Sequence, residues 1–209
     1  INYKNRMKKA LFISIAFICV LGSCTRPRPT EINSPDNTIK LAFYLNDSNQ
    51  MAYHITVNDT PFIAPSILGF EARDGINLSE DFHITGTDFD SKDEIWTQPW
   101  GENKSIRNHY NEMAVHLTDT KETLLTLRFR VFNDGIGFRY EYQVPDADSL
   151  FITDELTSFN IAQDGTSWSI PASFDTYELL YRTQPISQID NANTPMTCLL
   201  YTSPSPRDS

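Results

Sequence analysis

The sequence predicts an all-β fold, a large antiparallel β sandwich, on three observations. Apolar and polar residues alternate with a period of two in several segments, as they do in strands with one buried face. Clusters of Asp, Asn, Ser and Gly separate these segments and are typical of turns. No segment carries a sustained apolar stripe of helical period, which argues against a helical bundle or a parallel βαβ fold.

The first folded segment is predicted to be a β-hairpin. Apolar residues alternate with other residues from Ile39 to Leu45, and the alternation resumes from Tyr53 to Val57. Between them, Asp47-Ser48-Asn49 offers short polar side chains that favour a turn. A further short strand is predicted between Pro61 and Phe70.

The stretch from Asn77 to Glu94 is polar, acid-rich and weakly periodic, and it is predicted to be a long surface loop. Its carboxylates resemble those of a calcium loop, but the glycine turn and the terminal glutamate of an EF-hand are absent. The interpretation is therefore a solvated acidic loop carrying Asp88, Asp90, Asp93 and Glu94.

A second hairpin is predicted from Leu125 to Tyr142, after a short alternating strand from Met113 to Leu117. Asn133-Asp134-Gly135 turns the chain, because Asp-Gly tolerates the positive φ that tight hairpin turns require. One side of this hairpin is expected to enter the core. The arginines on the other side are expected to pair with acids across the sheet; they are Arg128, Arg130 and Arg139.

The N-terminus is predicted to be an export signal spanning residues 1–24, with residues 1–6 upstream of the true start. Its apolar run from Ala10 to Leu21 has the length of a signal-peptide core and is shorter than the ~20 residues that span a bilayer. The run ends in Leu21-Gly22-Ser23-Cys24, which resembles a bacterial lipobox. Cys24 is the predicted lipidation site, and an ordinary signal peptide with an incidental cysteine is the alternative.

This N-terminal pattern predicts an exported protein, a periplasmic or outer-membrane-associated lipoprotein that meets the membrane through its lipid anchor. Residues 25–32 are predicted to form an extended tether between the lipid and the fold. The net charge is −10, and removing the four positive charges of residues 1–24 leaves −14. Such acidity repels nucleic acids, which are therefore not expected partners.

The segment from Trp96 to Glu112 concentrates aromatic and hydrogen-bonding side chains, the groups from which sugar pockets are built. The same residues would also suit a domain interface, where they satisfy buried backbone groups. The candidate substrate-binding residues are Trp100, Arg107, Asn108 and His109. Motifs for other chemistries are missing from the sequence, including Gly-x-Ser-x-Gly, a Gly-rich phosphate loop and His-Glu-x-x-His.

Four stretches of this sequence together resemble the N-terminal domain of family 97 glycoside hydrolases, the calcium-dependent α-glucosidases and α-galactosidases. They are Ser34-Pro35-Asp36-Asn37, the segment from Gln98 to Asn111, the hairpin from Leu125 to Tyr142, and the segment from Ser169 to Glu178. The resemblance implies a galactose mutarotase-like super-sandwich over residues 33–197. It also implies an oligosaccharide substrate.

In that family most catalytic groups lie on a (β/α)8 barrel that follows the sandwich, so the resemblance implies no catalytic residue in this chain. It implies a calcium ion as cofactor, with Glu178 as a ligand through the spacing Asp175, Thr176, Glu178. The missing barrel would be the main partner, and the chain is expected to be inactive alone.

The sandwich is expected to be incomplete at the C-terminus, because residues 198–209 depart from the family pattern and are predicted to be a non-native tail. Two other functions remain open. One is a stand-alone, non-catalytic carbohydrate-binding lipoprotein that uses Trp96 and Trp100 as stacking platforms. The other is an aldose mutarotase, which rests on fold analogy alone.

Overall fold

The computed structural model describes residues 29–73, 77–143, 149–171, 179–189 and 196–203, with Asn77 and residues 196–203 described by their backbone alone. Strands dominate these ranges, and the paired strands are antiparallel, so the predicted all-β antiparallel fold is confirmed. Among the described residues no helix is long and apolar enough to cross a membrane. The predicted signal peptide, Cys24 and Glu178 lie outside these residues.

The first sheet has four strands in the order β1-β2-β3-β4, and it confirms the predicted N-terminal hairpin as β2–β3. The side chain of Asn46 closes that hairpin, because its Oδ1 accepts hydrogen bonds from the backbone N–H groups of Ser48 and Gln50. Asn58 and Asp59 both adopt positive φ in the two-residue turn to β4, the geometry that matches strand twist. The strands are β1 (Thr30–Asn33), β2 (Ile39–Leu45), β3 (Met51–Val57) and β4 (Thr60–Ile67).

The second sheet has the order β10-β9-β8-β7 and contains the second predicted hairpin as β9–β10. Its turn differs from the prediction, because neither Asp134 nor Gly135 adopts a positive φ. A three-residue connection closes the hairpin instead, with the N–H of Phe132 donating to the carbonyl of Gly135 at 2.8 Å. The strands are β7 (His83–Thr97), β8 (Ser105–Thr118), β9 (Leu124–Phe132) and β10 (Ile136–Gln143).

The predicted surface loop from Asn77 to Glu94 is wrong for most of its length, because β7 is a 15-residue strand paired with β8. Apolar and polar residues do not alternate in β7, because it lies at the sheet edge and none of its side chains is buried. The four acidic residues assigned to the loop are strand residues. Charges on an edge strand discourage pairing with other chains.

The core lies between the two four-stranded sheets, and a ring contact between Phe43 and Phe129 joins them with centroids 5.9 Å apart. Tyr53 is fully buried, and its hydroxyl donates to the carbonyl of Ser158 at 2.9 Å. Burial raises the pKa of Tyr53, so the phenol stays a donor at neutral pH. Other fully buried side chains from the two sheets are Leu41, Met51, Met113, Leu117, Leu125 and Leu127.

Two three-stranded sheets complete the described fold, in the orders β11-β5-β6 and β13-β12-β14. A 3-10 turn at Ile186–Gln188 follows β13. The strands of the first are β5 (Phe70–Ala72), β6 (Asn77–Leu78) and β11 (Ile152–Glu155); those of the second are β12 (Thr166–Pro171), β13 (Arg182–Pro185) and β14 (Met196–Ser203).

The strand bounds differ from the predicted limits of the sandwich at both ends. β1 begins at Thr30 and places Ile32 in the core, so the last residues of the predicted tether belong to the first sheet. β14 pairs with β12, so residues 198–203 of the predicted tail lie in a strand. That residues 198–209 are not native to the protein stays a prediction.

Candidate functional site

The outer face of the second sheet carries a network of ion pairs centred on Glu112 of β8. Its two carboxylate oxygens accept hydrogen bonds of 2.6 Å from Nη1 of Arg128 and Nε of Arg130. Burial opposes ionisation of Glu112, but the hydrogen bonds from Arg130 and Arg128 outweigh it and hold the pKa of the carboxyl below its ordinary value. Glu112 is therefore ionised at neutral pH.

Glu141 of β10 extends this network to the far side of the sheet. Its Oε1 accepts hydrogen bonds from Nε of Arg128 at 3.1 Å and from Nε of Arg139 at 2.7 Å. The hydrogen bond from Arg128, helped by the one from Arg139, lowers the pKa of Glu141. The prediction that the arginines of this hairpin pair with acids across the sheet is confirmed for Arg128 and Arg130, whereas Arg139 pairs with Glu141 two residues along its own strand.

Arg107 and His109, two candidate substrate-binding residues, lie on one face of β8 close to Asp93 of β7. Asp93 is the direct cross-strand partner of His109, and it accepts two hydrogen bonds from Arg107 at 2.8 and 2.7 Å. These bonds lower the pKa of Asp93. The guanidinium of Arg107 is thus held by a two-point contact on the hairpin itself.

Asn108 and Trp100, the other two candidates, are placed elsewhere. Asn108 lies on the opposite face of β8, where its side-chain amide donates to Glu94 Oε1 at 2.9 Å. Trp100 is 85% exposed in the loop between β7 and β8. The described structure therefore does not gather Trp100, Arg107, Asn108 and His109 into one pocket, because neighbouring strand residues point to opposite faces.

The loop at the end of the β7–β8 hairpin explains the motif Gln98-Pro99-Trp100-Gly101. The side chain of Gln98 crosses the loop and donates from Nε2 to the carbonyl of Asn103 at 2.7 Å. Gly101 has a φ of 127°, and an added Cβ would lie 2.5 Å from Nε2 of Gln98. The backbone angle favours glycine there, and a side chain would in addition displace the end of Gln98.

Apolar side chains surround this loop and are open to solvent. Ile95 is 71% exposed and Trp96 is 47% exposed, next to the more exposed Trp100. Flat aromatic side chains beside amide and guanidinium groups can contact the apolar face and the hydroxyls of a sugar ring. They can equally cover part of another domain.

A further polar contact that the sequence did not suggest involves His116 of β8. His116 of β8 lies between Asp88 Oδ2, 2.9 Å from its Nε2, and Thr126 Oγ1, 3.0 Å from its Nδ1. These partners lie on the two neighbouring strands, so the imidazole links β7 to β9. The contact between Asp88 and His116 follows from the register of β7 against β8, which could not be predicted because β7 was not recognised as a strand.

In the part of the chain that the structure describes, no group of three or more His, Cys, Asp or Glu residues is close enough to hold a metal ion. On the second sheet, Glu112 and Glu141 pair with arginines, Asp93 pairs with Arg107, and Glu94 pairs with Lys92 and the amide of Asn108. The predicted calcium ligand Glu178 lies outside the described residues, so this statement does not apply to it.

Comparison with known proteins identifies the family of this sandwich. Residues 32–204 match the family described as Glycosyl-hydrolase 97 N-terminal. The chain therefore belongs to that family, as its resemblance at four segments predicted.

Two similar proteins are glycoside hydrolases. A retaining alpha-galactosidase of Bacteroides thetaiotaomicron is 25% identical over 193 residues, covering 88% of this chain and 28% of that protein. A glycoside hydrolase family 97 enzyme from Pseudoalteromonas sp. strain K8, in complex with panose, is 33% identical with a TM-score of 0.69. That match covers 76% of this chain and 25% of the enzyme. The chain thus spans about a quarter of the length of these relatives.

A second solved structure shares this fold. A beta-arabinopyranosidase is 22% identical to this chain with a TM-score of 0.64, over 73% of this chain and 26% of that one. At that identity the similarity establishes the fold alone.

Proposed function

We propose that this chain is the N-terminal β-sandwich part of a calcium-dependent α-glycosidase that hydrolyses oligosaccharides, either an α-glucosidase or an α-galactosidase. The observation that carries the proposal is the family match over residues 32–204, which includes most of the described strands. The names of the relatives support it, because one is a retaining alpha-galactosidase and the structure of another is a complex with panose.

The catalytic chemistry belongs, in this proposal, to a (β/α)8 barrel in the same protein. Glycosidases of this kind use two carboxyl groups, one as general acid and the other as base or nucleophile. The sandwich would contribute part of the pocket wall. The β7–β8 hairpin suits that role, because its far end presents Trp96, Trp100 and Ile95 to solvent.

The four candidate substrate-binding residues take different parts in this proposal. Trp100 is free to stack on a sugar ring or to cover the barrel, because its side chain is 85% exposed. Arg107 is held by Asp93, and Asn108 by Glu94, so both side chains are oriented before any ligand arrives. His109 would contact the substrate beside Arg107, on the same face of the hairpin.

The calcium ion is proposed from family membership. Calcium takes six to eight oxygen ligands, and one of them would be the carboxylate of Glu178, with the rest supplied by the barrel. When bound, the ion would supply positive charge that orients sugar hydroxyls and carboxyl groups. We also propose that the protein is exported and anchored by a lipid at Cys24, which the Leu21-Gly22-Ser23-Cys24 sequence supports.

The test is to assay the complete protein that contains this chain. Hydrolysis of p-nitrophenyl α-galactoside, p-nitrophenyl α-glucoside and panose is measured before and after calcium removal with EDTA. We expect turnover of at least one α-glycoside, its loss in EDTA, and recovery when calcium is added back. Lack of any α-glycosidase activity in the folded, calcium-loaded protein would refute the proposal.

A second candidate is a carbohydrate-binding protein without catalysis, which the exposed Trp96 and Trp100 favour. In that case the 209-residue chain itself would bind maltooligosaccharides or galactosides without hydrolysing them, with affinity measured by calorimetry. Trp100→Ala would abolish that binding. Trp168→Ala is the matched control, because Trp168 is a partly exposed tryptophan on β12 in another sheet.

A further inference from the structure

Three Asp-Gly pairs occur in the sequence, and two of them lie in the described residues with different surroundings. An aspartate followed by glycine can rearrange without an enzyme, because the amide nitrogen of a residue without a Cβ can approach the side-chain carboxyl carbon of the aspartate. Asp134-Gly135 lies in the turn between β9 and β10, and Asp164-Gly165 directly precedes β12. The third pair, Asp74-Gly75, lies outside the described residues. The fold therefore places the same reactive pair in two settings that can be compared.

Asp134 is exposed at the tip of the β9–β10 hairpin. Within the described residues its carboxylate forms no hydrogen bond or ion pair. The side chain of the neighbouring Asn133 is held in place, because its Oδ1 accepts a hydrogen bond from the N–H of Asp36 at 3.1 Å. The carboxyl group of Asp134 can therefore turn toward the main chain that follows it.

The amide nitrogen of Gly135 is available for the reaction as well. Gly135 precedes β10, so its N–H does not belong to the strand ladder, and no described residue accepts a hydrogen bond from it. An added Cβ at Gly135 would meet no atom within 4 Å, so a cyclic imide formed there has room. The turn also borders an open cavity of about 940 Å³, through which water can reach both residues.

Asp164 meets the opposite conditions in the same fold. Its Oδ1 accepts a hydrogen bond from the N–H of Ser187 at 3.1 Å, and its Oδ2 accepts one from Ser187 Oγ at 2.7 Å. Both carboxylate oxygens are therefore held by the 3-10 turn that follows β13. The hydroxyl of Ser187 is the main cause that lowers the pKa of Asp164. Less of this group is then protonated, and the protonated carboxyl is the form that an amide nitrogen attacks.

We propose that Asp134 is a modification site, at which the folded protein converts aspartate to isoaspartate through a cyclic imide with Gly135. In the first step the nitrogen of Gly135 forms a bond to Cγ of Asp134, and the amide proton leaves with the carboxyl hydroxyl as water. In the second step water opens the ring at the main-chain carbonyl, and the chain then runs through Cγ. One water is released and one is consumed, so the reaction needs no oxidant and no cofactor. It is independent of any glycosidase activity.

The modification would change one end of the sandwich. Isoaspartate adds a backbone carbon to the short connection between β9 and β10, so the N–H of Phe132 and the carbonyl of Gly135, now joined by a 2.8 Å hydrogen bond, should separate. The hydrogen bond between Asp36 and Asn133 joins this turn to the β1–β2 loop of the first sheet, and it should weaken too. A modified Asp134 would therefore loosen the contact between the two sheets at this end.

Peptide mapping of the aged protein tests the proposal, with Asp164 as the control inside the same molecule. The complete protein is incubated at neutral pH, digested, and analysed by electron-transfer fragmentation, which distinguishes isoaspartate from aspartate. Isoaspartate should accumulate at Asp134 on the order of tenfold faster than at Asp164, because hydrogen bonds to a carboxylate must break before it reacts. In urea, where the fold is lost, the two sites should react at similar rates. Equal rates in the folded protein, or an unchanged ratio in urea, would overturn the proposal.

Substitutions separate the role of the carboxyl group from that of the glycine. Ser187→Ala removes the hydroxyl that holds Asp164 and should raise isoaspartate formation at Asp164, while Asp134 keeps its rate. Gly135→Ala adds a methyl group beside the attacking nitrogen and should slow the reaction at Asp134 on the order of tenfold, whereas Gly165→Ala should not. Labelled methyl transfer from S-adenosylmethionine by a protein-isoaspartate methyltransferase, located to the peptide, gives a second readout. If the peptide containing Asp134 ages as fast in Gly135→Ala as in the natural protein, cyclisation with Gly135 is not the route.

Discussion

Glu112 and Arg130 lie directly opposite each other on β8 and β9, and Oε2 of Glu112 accepts a 2.6 Å hydrogen bond from Nε of Arg130. The same guanidinium lies over the ring of Tyr110, with 4.6 Å between Cζ and the ring centroid. Glu112 also binds Arg128, so one buried carboxylate holds two arginines across the sheet. This arrangement orders the arginines on the outer face of the second sheet.

We expect Glu112→Gln to lower the free energy of unfolding by about 1–3 kcal/mol, because the amide replaces a charged acceptor shared by two arginines. Urea denaturation of the two proteins measures the difference. Glu102→Gln serves as the control, since Glu102 is exposed in the hairpin loop and should cause little change. Equal destabilisation by both substitutions would contradict the importance assigned to Glu112.

The same network predicts how stability depends on pH. The pKa values of Glu112 and Glu141 are lower in the folded protein than their ordinary values, because hydrogen bonds from arginines favour the ionised carboxylates. Their stabilisation is therefore fully present above the unfolded pKa of about 4.3 and is lost as the pH falls through the folded values. Thermal melting from pH 7 to pH 3 should show a smaller drop for the double variant Glu112→Gln, Glu141→Gln than for the natural protein. If the melting temperatures of the two proteins fell by the same amount between pH 7 and pH 3, the two carboxylates would not be the source of the pH dependence.

The strands that could be predicted from sequence are those with one buried face. Alternation located β2, β3, β9, β10 and the Met113–Leu117 part of β8, because apolar side chains on one face of each strand lie in the core or pack against it. β7 could not be found this way, since an edge strand with both faces open imposes no apolar period. Its acidic composition then favoured a loop.

The candidate site was harder to predict than the fold. Arg107, Asn108 and His109 are adjacent in sequence and look like one cluster, but β8 extends to Ser105 and alternates them between two faces. Apolar alternation does not reach that end of β8, so no pattern there indicated a strand. The pairing of Arg128 with acids could be predicted, because the alternation around it identified the hairpin and placed Arg128 on the face opposite the core.

The tip of the β7–β8 hairpin depends on the contact between Gln98 and Gly101. We expect Gly101→Ala to strain a backbone at φ 127° and to displace the side chain of Gln98 from the carbonyl of Asn103. The strain should lower the free energy of local opening at the hairpin end by about 1–2 kcal/mol. Amide hydrogen exchange there should therefore speed up on the order of tenfold. The matched control is Gly135→Ala, because Gly135 has no close neighbour and no left-handed φ. Unchanged exchange near Thr97 and Ser105 in Gly101→Ala would show that the loop tolerates a side chain there.

The calcium proposal predicts a linked loss of metal binding and activity in the complete protein. Glu178→Gln removes one hard, charged oxygen ligand while keeping the shape of the side chain, so calcium affinity should fall on the order of 10-fold or more. Turnover should fall at low calcium and recover in part when calcium is raised, because the defect lies in occupancy of the site. Calcium titration by calorimetry and the hydrolysis rate at several calcium concentrations measure the two effects together. Glu31→Gln is the control, since Glu31 is an exposed acid on β1 whose loss changes the net charge equally. If both variants bind calcium and turn over substrate as the natural protein does, Glu178 is not a ligand.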